Sequence, residues 1–121
     1  MDTKKSQLGK TGEDLAVRYL SKKKYKLIER NYRRPWGEID IVVKAPDETL
    51  VFVEVKTMNE GELRPEDQMS FFKVKKFKKA ALLYAGSHQY LINEKKGWRL
   101  DVITLTKIEN CFLINHYENI V

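Results

Sequence analysis

The chain has 121 residues, 42% of them hydrophobic and 33% charged, with a formal net charge of +6. That is the size of one ordinary domain, residues 1–121, too short for two separate cores and too apolar to stay disordered. No apolar run approaches the roughly 20 residues needed to span a bilayer and the Lys-rich amino terminus lacks the apolar core of a signal peptide, so a cytoplasmic protein without membrane contact is expected.

The charge is unevenly spread. Residues 1–34 carry +7, residues 35–70 carry −6 and residues 71–121 carry +5. Any one of these runs could be a solvated face; together they suit an acidic, metal-binding middle with basic, phosphate-binding flanks.

In chain order, Leu8 to Lys24 has a helical period, with Leu8, Gly12, Leu15, Ala16, Tyr19 and Leu20 on one stripe. Gly9 and Gly12 are poor helix formers, which points to close backbone contact with a sheet or ligand. Glu13 lies beside the stripe, either as a solvated first-turn acid or aimed along the sheet. Tyr25 to Tyr32 reads as a strand near a sheet edge, and Arg33-Arg34-Pro35-Trp36-Gly37 as a turn. Arg33, Arg34 and Trp36 combine cations with a stacking surface and could hold a nucleic-acid strand, or could simply be an exposed turn.

Ile39 to Val43 and Leu50 to Val55 are β-branched and aromatic runs around Ala45-Pro46-Asp47-Glu48-Thr49, a hairpin loop. A turn centred on Asp47 sets Lys44 against Leu50, Val42 against Phe52, Asp40 against Glu54 and Glu38 against Lys56. Directly opposed side chains share a face, which puts the Asp40 and Glu54 Cβ atoms roughly 5 Å apart. Two carboxylates at that distance repel by about 3 kcal/mol at an effective dielectric near 20, so a cation is expected between them, either Lys56 or a divalent metal.

Thr57 to Gln68 is polar and long enough to move over a site. Ser70 reads as an N-cap, followed by a helix to about Ala85 with Phe71, Val74, Phe77, Ala81 and Tyr84 inward and Gly86 as its end. Lys73, Lys75, Lys76, Lys78 and Lys79 flank that face, as phosphate contacts or as solubilising charge. Ser87 to Gly97 is a connection with room for a short helical turn. Trp98 to Thr106 and Cys111 to Tyr117 are the last strands, with Arg99 and Asp101 set for an ion pair. Cys111 has no partner for a disulfide or zinc motif and is expected in the core, and His88 and His116 lack ligand spacing. The order α-β-β-β-α-β-β predicts an α/β domain: a mixed sheet with a helix on each side.

Asp40, then Glu54-Val55-Lys56 on the next strand, after a helix bearing Glu13, resembles the signature of the PD-(D/E)XK, or restriction-endonuclease-like, nuclease superfamily. More narrowly, Gly12-Glu13-Asp14-Leu15-Ala16, Asn31-Tyr32-Arg33, Gly37-Glu38-Ile39-Asp40, Phe52-Val53-Glu54-Val55-Lys56, Lys73 with Ala80-Ala81, and Arg99-Leu100-Asp101-Val102 resemble the YraN-like proteins, an uncharacterised bacterial branch covering nearly the whole chain. Members often continue past the lysine with Thr-Arg, whereas here Thr57 is followed by Met58.

The resemblance implies a metal-dependent endonuclease that hydrolyses DNA phosphodiester bonds, on branched or single-stranded forms among others. It implies Mg²⁺ or Mn²⁺ held by Asp40, Glu54 and the Val55 carbonyl, with Lys56 orienting the attacking water, Glu13 an outer partner, and Lys73 a phosphate contact. Lys75, Lys76 and Lys79 extend the expected nucleic-acid surface from that lysine along the helix. Many such nucleases are homodimers. The alternatives are a nucleic-acid-binding module that keeps the fold without cutting, and a protein-interaction subunit whose charges are solvation only.

Overall fold

The apolar residues of the middle strands alternate onto two faces, and each face needs its own cover. The computed structural model describes residues 3–61 and 71–120. Along the chain it has α1 (Thr3–Lys22), β1 (Lys26–Arg34), β2 (Gly37–Lys44), β3 (Leu50–Asn59), α2 (Phe71–Ser87), a 3₁₀ turn (Gln89–Leu91), β4 (Trp98–Ile108) and β5 (Cys111–Tyr117). The strands form one five-stranded sheet in the order β1-β2-β3-β4-β5. All neighbours are antiparallel except β3 and β4, the parallel pair that α2 connects. The expected α/β order and mixed sheet are those observed.

Ala16 and Leu20 of α1 pack with Ile41, Val43, Val51, Val53, Ile103 and Leu105 on one face. Phe77, Ala80, Ala81 and Tyr84 of α2 pack with Val42, Leu50, Phe52 and Leu100 on the other. Central β3 is covered on both sides, which explains its unbroken apolar run from Leu50 to Val53, all buried. Each such side chain contributes about 1.5–3 kcal/mol. Among the described residues no helix is long and apolar enough to cross a membrane.

Element boundaries moved at several points. α1 begins at Thr3, five residues before the expected Leu8, and Glu13 lies well inside the helix, not in its first turn. α2 continues through Gly86 to Ser87, whose hydroxyl bonds the Leu83 and Tyr84 carbonyls at 3.1 Å. β3 runs on to Asn59, and β4 runs to Ile108, leaving a two-residue turn in which Glu109 has φ 54°. Cys111 is exposed, because it opens the edge strand β5. The rest of the polar loop to Gln68, the Ser70 cap and the side chains of Leu8 and Phe71 lie outside what is described.

Gly12 and Gly37 mark close approaches. A Cβ on Gly12 would meet Thr57 Oγ1 at 2.6 Å, as expected for a helix glycine pressed on a sheet. A Cβ on Gly37, whose φ is +154°, would meet Ala80 Cβ at 2.9 Å and the Lys76 carbonyl at 3.3 Å. The β1–β2 turn is thereby held against α2.

The hairpin register is the expected one as far as the strands stay together, with Lys44 opposite Leu50 and Val42 opposite Phe52. The ladder then ends at Ile41 and Val53, while β2 remains paired with β1 out to Gly37. At this fork the alternation of both strands inverts. Ile41 packs in the α1 layer and Ile39 in the α2 layer. Likewise Arg30 bonds Asp14 of α1, whereas Tyr32 packs with α2, and Asn31 between them has φ 55°. The expected direct opposition of Asp40 to Glu54, and of Glu38 to Lys56, does not form. Glu38 instead faces Arg33 across β1, 2.6 Å away.

A buried polar cluster ties β4 to β5. Asp101, fully buried, accepts from Arg99 Nε at 3.0 Å, from His116 Nε2 at 2.8 Å and from the Asn119 amide at 2.9 Å. His116 Nδ1 lies 3.1 Å from the Tyr19 hydroxyl, which ties β5 to α1. The Arg99–Asp101 ion pair and the satisfied His116 are as expected. Burial pushes the Asp101 carboxyl up, but His116, Arg99 and the Asn119 amide outweigh it and hold the group below its ordinary value.

Gly37→Ala should cost about 1–3 kcal/mol through backbone strain and the clash with Ala80. Gly86→Ala, with nothing within 4 Å of its Cβ, should instead stabilise by about 0.5 kcal/mol. Urea denaturation of the two variants checks both signs. Asp101→Asn should cost about 2–4 kcal/mol at neutral pH by breaking a buried ion pair. Because the Asp101 carboxyl is held low when folded, its contribution is present above the ordinary carboxylate value of 3.8 and lost as pH falls below it. The gap between wild type and variant should therefore shrink in urea titrations at acid pH.

Candidate metal and phosphate site

The fork between β2 and β3 leaves the Val55 amide without a ladder partner, and Asp40 takes it. Its Oδ2 accepts that N–H at 2.8 Å, so the carboxylate substitutes for the missing strand contact. In an extended strand the N–H and C=O of one residue project to the same edge, which turns the Val55 carbonyl toward the same opening. Glu54 and Lys56 follow on the α2 side, with Lys56 Nζ 3.3 Å from Glu54 Oε1. Their side chains are only 21% and 19% exposed.

Glu13 reaches the cluster from α1. Its side chain is 17% exposed and the Asp40 charge acts on it, so it faces the sheet rather than solvent. Arg30 holds this end of the helix through Asp14 at 2.7 Å, yet stands 3.9 Å from Glu13 Oε1. Reading the sequence as a simple strand alternation missed Arg30; the inverted face at Asn31 is what delivers it to α1.

All three carboxyls are pushed above their ordinary values, and burial is the largest cause at each. Asp40 is partly relieved by the Val55 amide and Lys56, and Glu54 by Lys56, while the Asp40 charge raises both Glu13 and Glu54. Burial thus exceeds the mutual repulsion that spacing alone suggested. Burial also pulls the Lys56 ammonium down, but Lys73, Glu54 and Asp40 outweigh it and lift it above its ordinary value. Lys73, pressed by its neighbour Lys56, is lowered.

Two oxygens test whether a cation fits. Glu13 Oε1 and Glu54 Oε2 are buried and have no hydrogen-bond partner. An orphaned buried carboxylate oxygen is costly unless something cationic meets it. The Asp40 charge acts on both glutamates, so it lies between them. Carboxylate and carbonyl oxygens are the donors that suit a hard cation such as Mg²⁺ or Mn²⁺, and Asp40, Glu54 and the Val55 carbonyl could supply them; the oxygens of all three carboxyls do not come within 4.8 Å of one another. A second cluster is different in kind. Asp101, His116 and Glu118 place ligand-type atoms within 4.8 Å of one another, but the Asp101 oxygens are already taken by Arg99, His116 and Asn119.

Beside Glu54 and Lys56 opens a cleft of about 510 Å³, lined also by the β1–β2 turn from Arg34 through Glu38 and by Lys73, Lys76 and Phe77 of α2. Of the expected nucleic-acid residues it gathers Arg34, Trp36, Lys73 and Lys76. Arg34 sits 4.5 Å over the Tyr32 ring. Arg33 is spent on Glu38, and Lys75 and Lys79 are exposed on α2 outside the cleft. Met58, where an arginine often stands in the resembled proteins, is 3% exposed and belongs to the core.

Residues 12–105 match the uncharacterised protein family UPF0102. The chain is similar to a UPF0102 protein of Alkaliphilus oremlandii, 40% identical over 119 residues that cover 93% of this chain and 96% of that protein. It is similar to one from Geobacter metallireducens at 39% over 120 residues, covering 98% and 95%. A shorter match, 47% identical over 75 residues, joins it to a protein of Thermotoga neapolitana and covers 62% and 68%. The matched family span takes in Glu13, Asp40, Glu54 and Lys56, and the chain belongs to the uncharacterised protein family UPF0102.

Proposed function

We propose that this protein is a metal-dependent phosphodiester hydrolase acting on nucleic acid, with DNA as its substrate, of the PD-(D/E)XK kind. The observation that carries the reading is the group of half-buried carboxyls Glu13, Asp40 and Glu54, two of them with an orphaned buried oxygen, beside Lys56 and a cleft lined by Arg34, Lys73 and Lys76. Stability alone would not keep such groups: each is disfavoured by burial, and sites that hold uncompensated charge are characteristic of function.

Mg²⁺ or Mn²⁺ held by Asp40, Glu54 and the Val55 carbonyl would supply Lewis acidity and a more acidic bound water. The chain's own groups do the rest. The Val55 amide fixes the Asp40 carboxylate in place. Glu54 holds Lys56 at 3.3 Å, where its ammonium can orient the attacking water and offset negative charge on the phosphoryl oxygens. Glu13 supports the cluster from α1. Arg34, Lys73 and Lys76 line the approach and can neutralise flanking phosphates. A binding module that never cuts would need this cleft but gains nothing from the buried carboxyls behind it.

Purified protein with Mg²⁺ or Mn²⁺ should cut branched, flapped or linear DNA, and Asp40→Asn, Glu54→Gln and Lys56→Met should each lower the rate by about a hundredfold or more. Cleavage that survives in Asp40→Asn and Glu54→Gln would come from a contaminant and overturn the assignment. Without metal, those two variants should melt about 3–5 °C above wild type, because a neutral side chain avoids the burial penalty. Excess Mg²⁺ should raise the wild-type melting temperature and leave both variants unmoved, since a ligand at 100 times its Kd stabilises by about 2.7 kcal/mol. A thermal melt with and without Mg²⁺ reads both effects.

A further inference from the structure

We infer that the cleft at the β1–β2 turn is a pocket for one unpaired nucleotide next to the scissile phosphate, which makes the substrate a strand with an unpaired or flipped base at that point. The inference rests on the hydrolase reading above and specifies its substrate. Trp36 is 42% exposed yet lines the cleft, and Phe77, which is 3% exposed, adds apolar surface to the same space. Arg34, Lys73 and Lys76 add cations, and Glu54 and Lys56 belong to the same lining. An aromatic face set among cations is the combination that binds single strands without reading their sequence.

Size and rigidity decide between this pocket and a general phosphate-binding surface. A volume of about 510 Å³ falls in the range of sites that enclose one small organic molecule, roughly 300–1,000 Å³. A base kept inside a duplex stack cannot lay its face on Trp36; it must be unpaired already or be flipped out at an energetic cost. The turn that carries Trp36 is fixed, because Gly37 lies against α2 and Arg34 is held over Tyr32 and bonded to the Arg33 carbonyl at 2.8 Å. The indole is therefore a standing wall of the cleft, and Lys56 lines the same cleft, within which a base and its phosphate can reach the two together.

The test is anisotropy binding in EDTA, where nothing is cut, with a short labelled thymidine single strand and a blunt duplex of equal length. Wild type should prefer the single strand by about 5- to 100-fold, the size of one stacked base. Trp36→Ala should bring the two affinities within about a factor of two by weakening only the single strand, and Trp36→Phe should keep most of the preference. A wild type without preference, or a Trp36→Ala variant that loses equally on both ligands, overturns the pocket. Cleavage with Mg²⁺ is scored separately on the same molecules. If cutting occurs without a Trp36-dependent preference, the pocket falls and the hydrolase reading stands. If the preference is present and nothing is cut, the hydrolase reading falls and the pocket stands.

Discussion

The hydrogen bond from the Val55 amide to Asp40 Oδ2 holds open the place where β2 leaves β3. An unpaired amide inside a sheet is costly, and a strand that ends its pairing early must find another acceptor. Here the acceptor is a carboxylate, so backbone satisfaction and the placing of a charge are one contact. Everything else at the site is arranged around that opening: Glu54 and Lys56 on the strand that stays, the Val55 carbonyl on the same edge, and Glu13 from the helix above. Were β2 to pair to its end, Asp40 would simply be one more alternating side chain.

The energetic character of the site is opposite to that of the Asp101 cluster on the neighbouring strand. Around Asp101 each oxygen has a donor, and the carboxyl is held low despite complete burial. Around Asp40 burial wins and the carboxyls are held high, with buried oxygens of Glu13 and Glu54 unmet. Both clusters are built on carboxylates. What separates the two is whether the donors present are enough for the charge that has been buried.

Much of this was legible in the residues, and the reasons differ by element. The hairpin register followed from its β-branched runs and the Pro46-Asp47 turn, and it held for Lys44 against Leu50 and Val42 against Phe52. It failed at Asp40 because a period of two assumes a regular strand, and nothing in Asn31 or Asp40 announces a face inversion by itself. Glu13 sits beside the apolar stripe of α1, and helical spacing alone does not say whether a flanking acid turns to solvent or to the sheet. Lys75 and Lys79 could not be separated from Lys73 and Lys76 by charge alone; which lysines reach the cleft depends on how α2 is rotated, and that is set by Phe77, Ala80, Ala81 and Tyr84. Cys111 was misplaced because apolar character suggested burial, whereas an edge strand leaves its ends to solvent.

The parallel pairing of β3 with β4 has a bearing on when the site comes into being. β1, β2 and β3 meet through short connections, but β4 pairs with β3 only after the chain has run out through α2 and back. Pairings between distant segments are the slow ones in folding. The fork and its carboxyls belong to the early, local meander; the wall of the cleft that carries Lys73, Lys76 and Phe77 belongs to the excursion that docks with the distant strand. A nascent chain that has made only its first three strands thus has the acids without the α2 wall of the cleft, and the lysines of that wall arrive last.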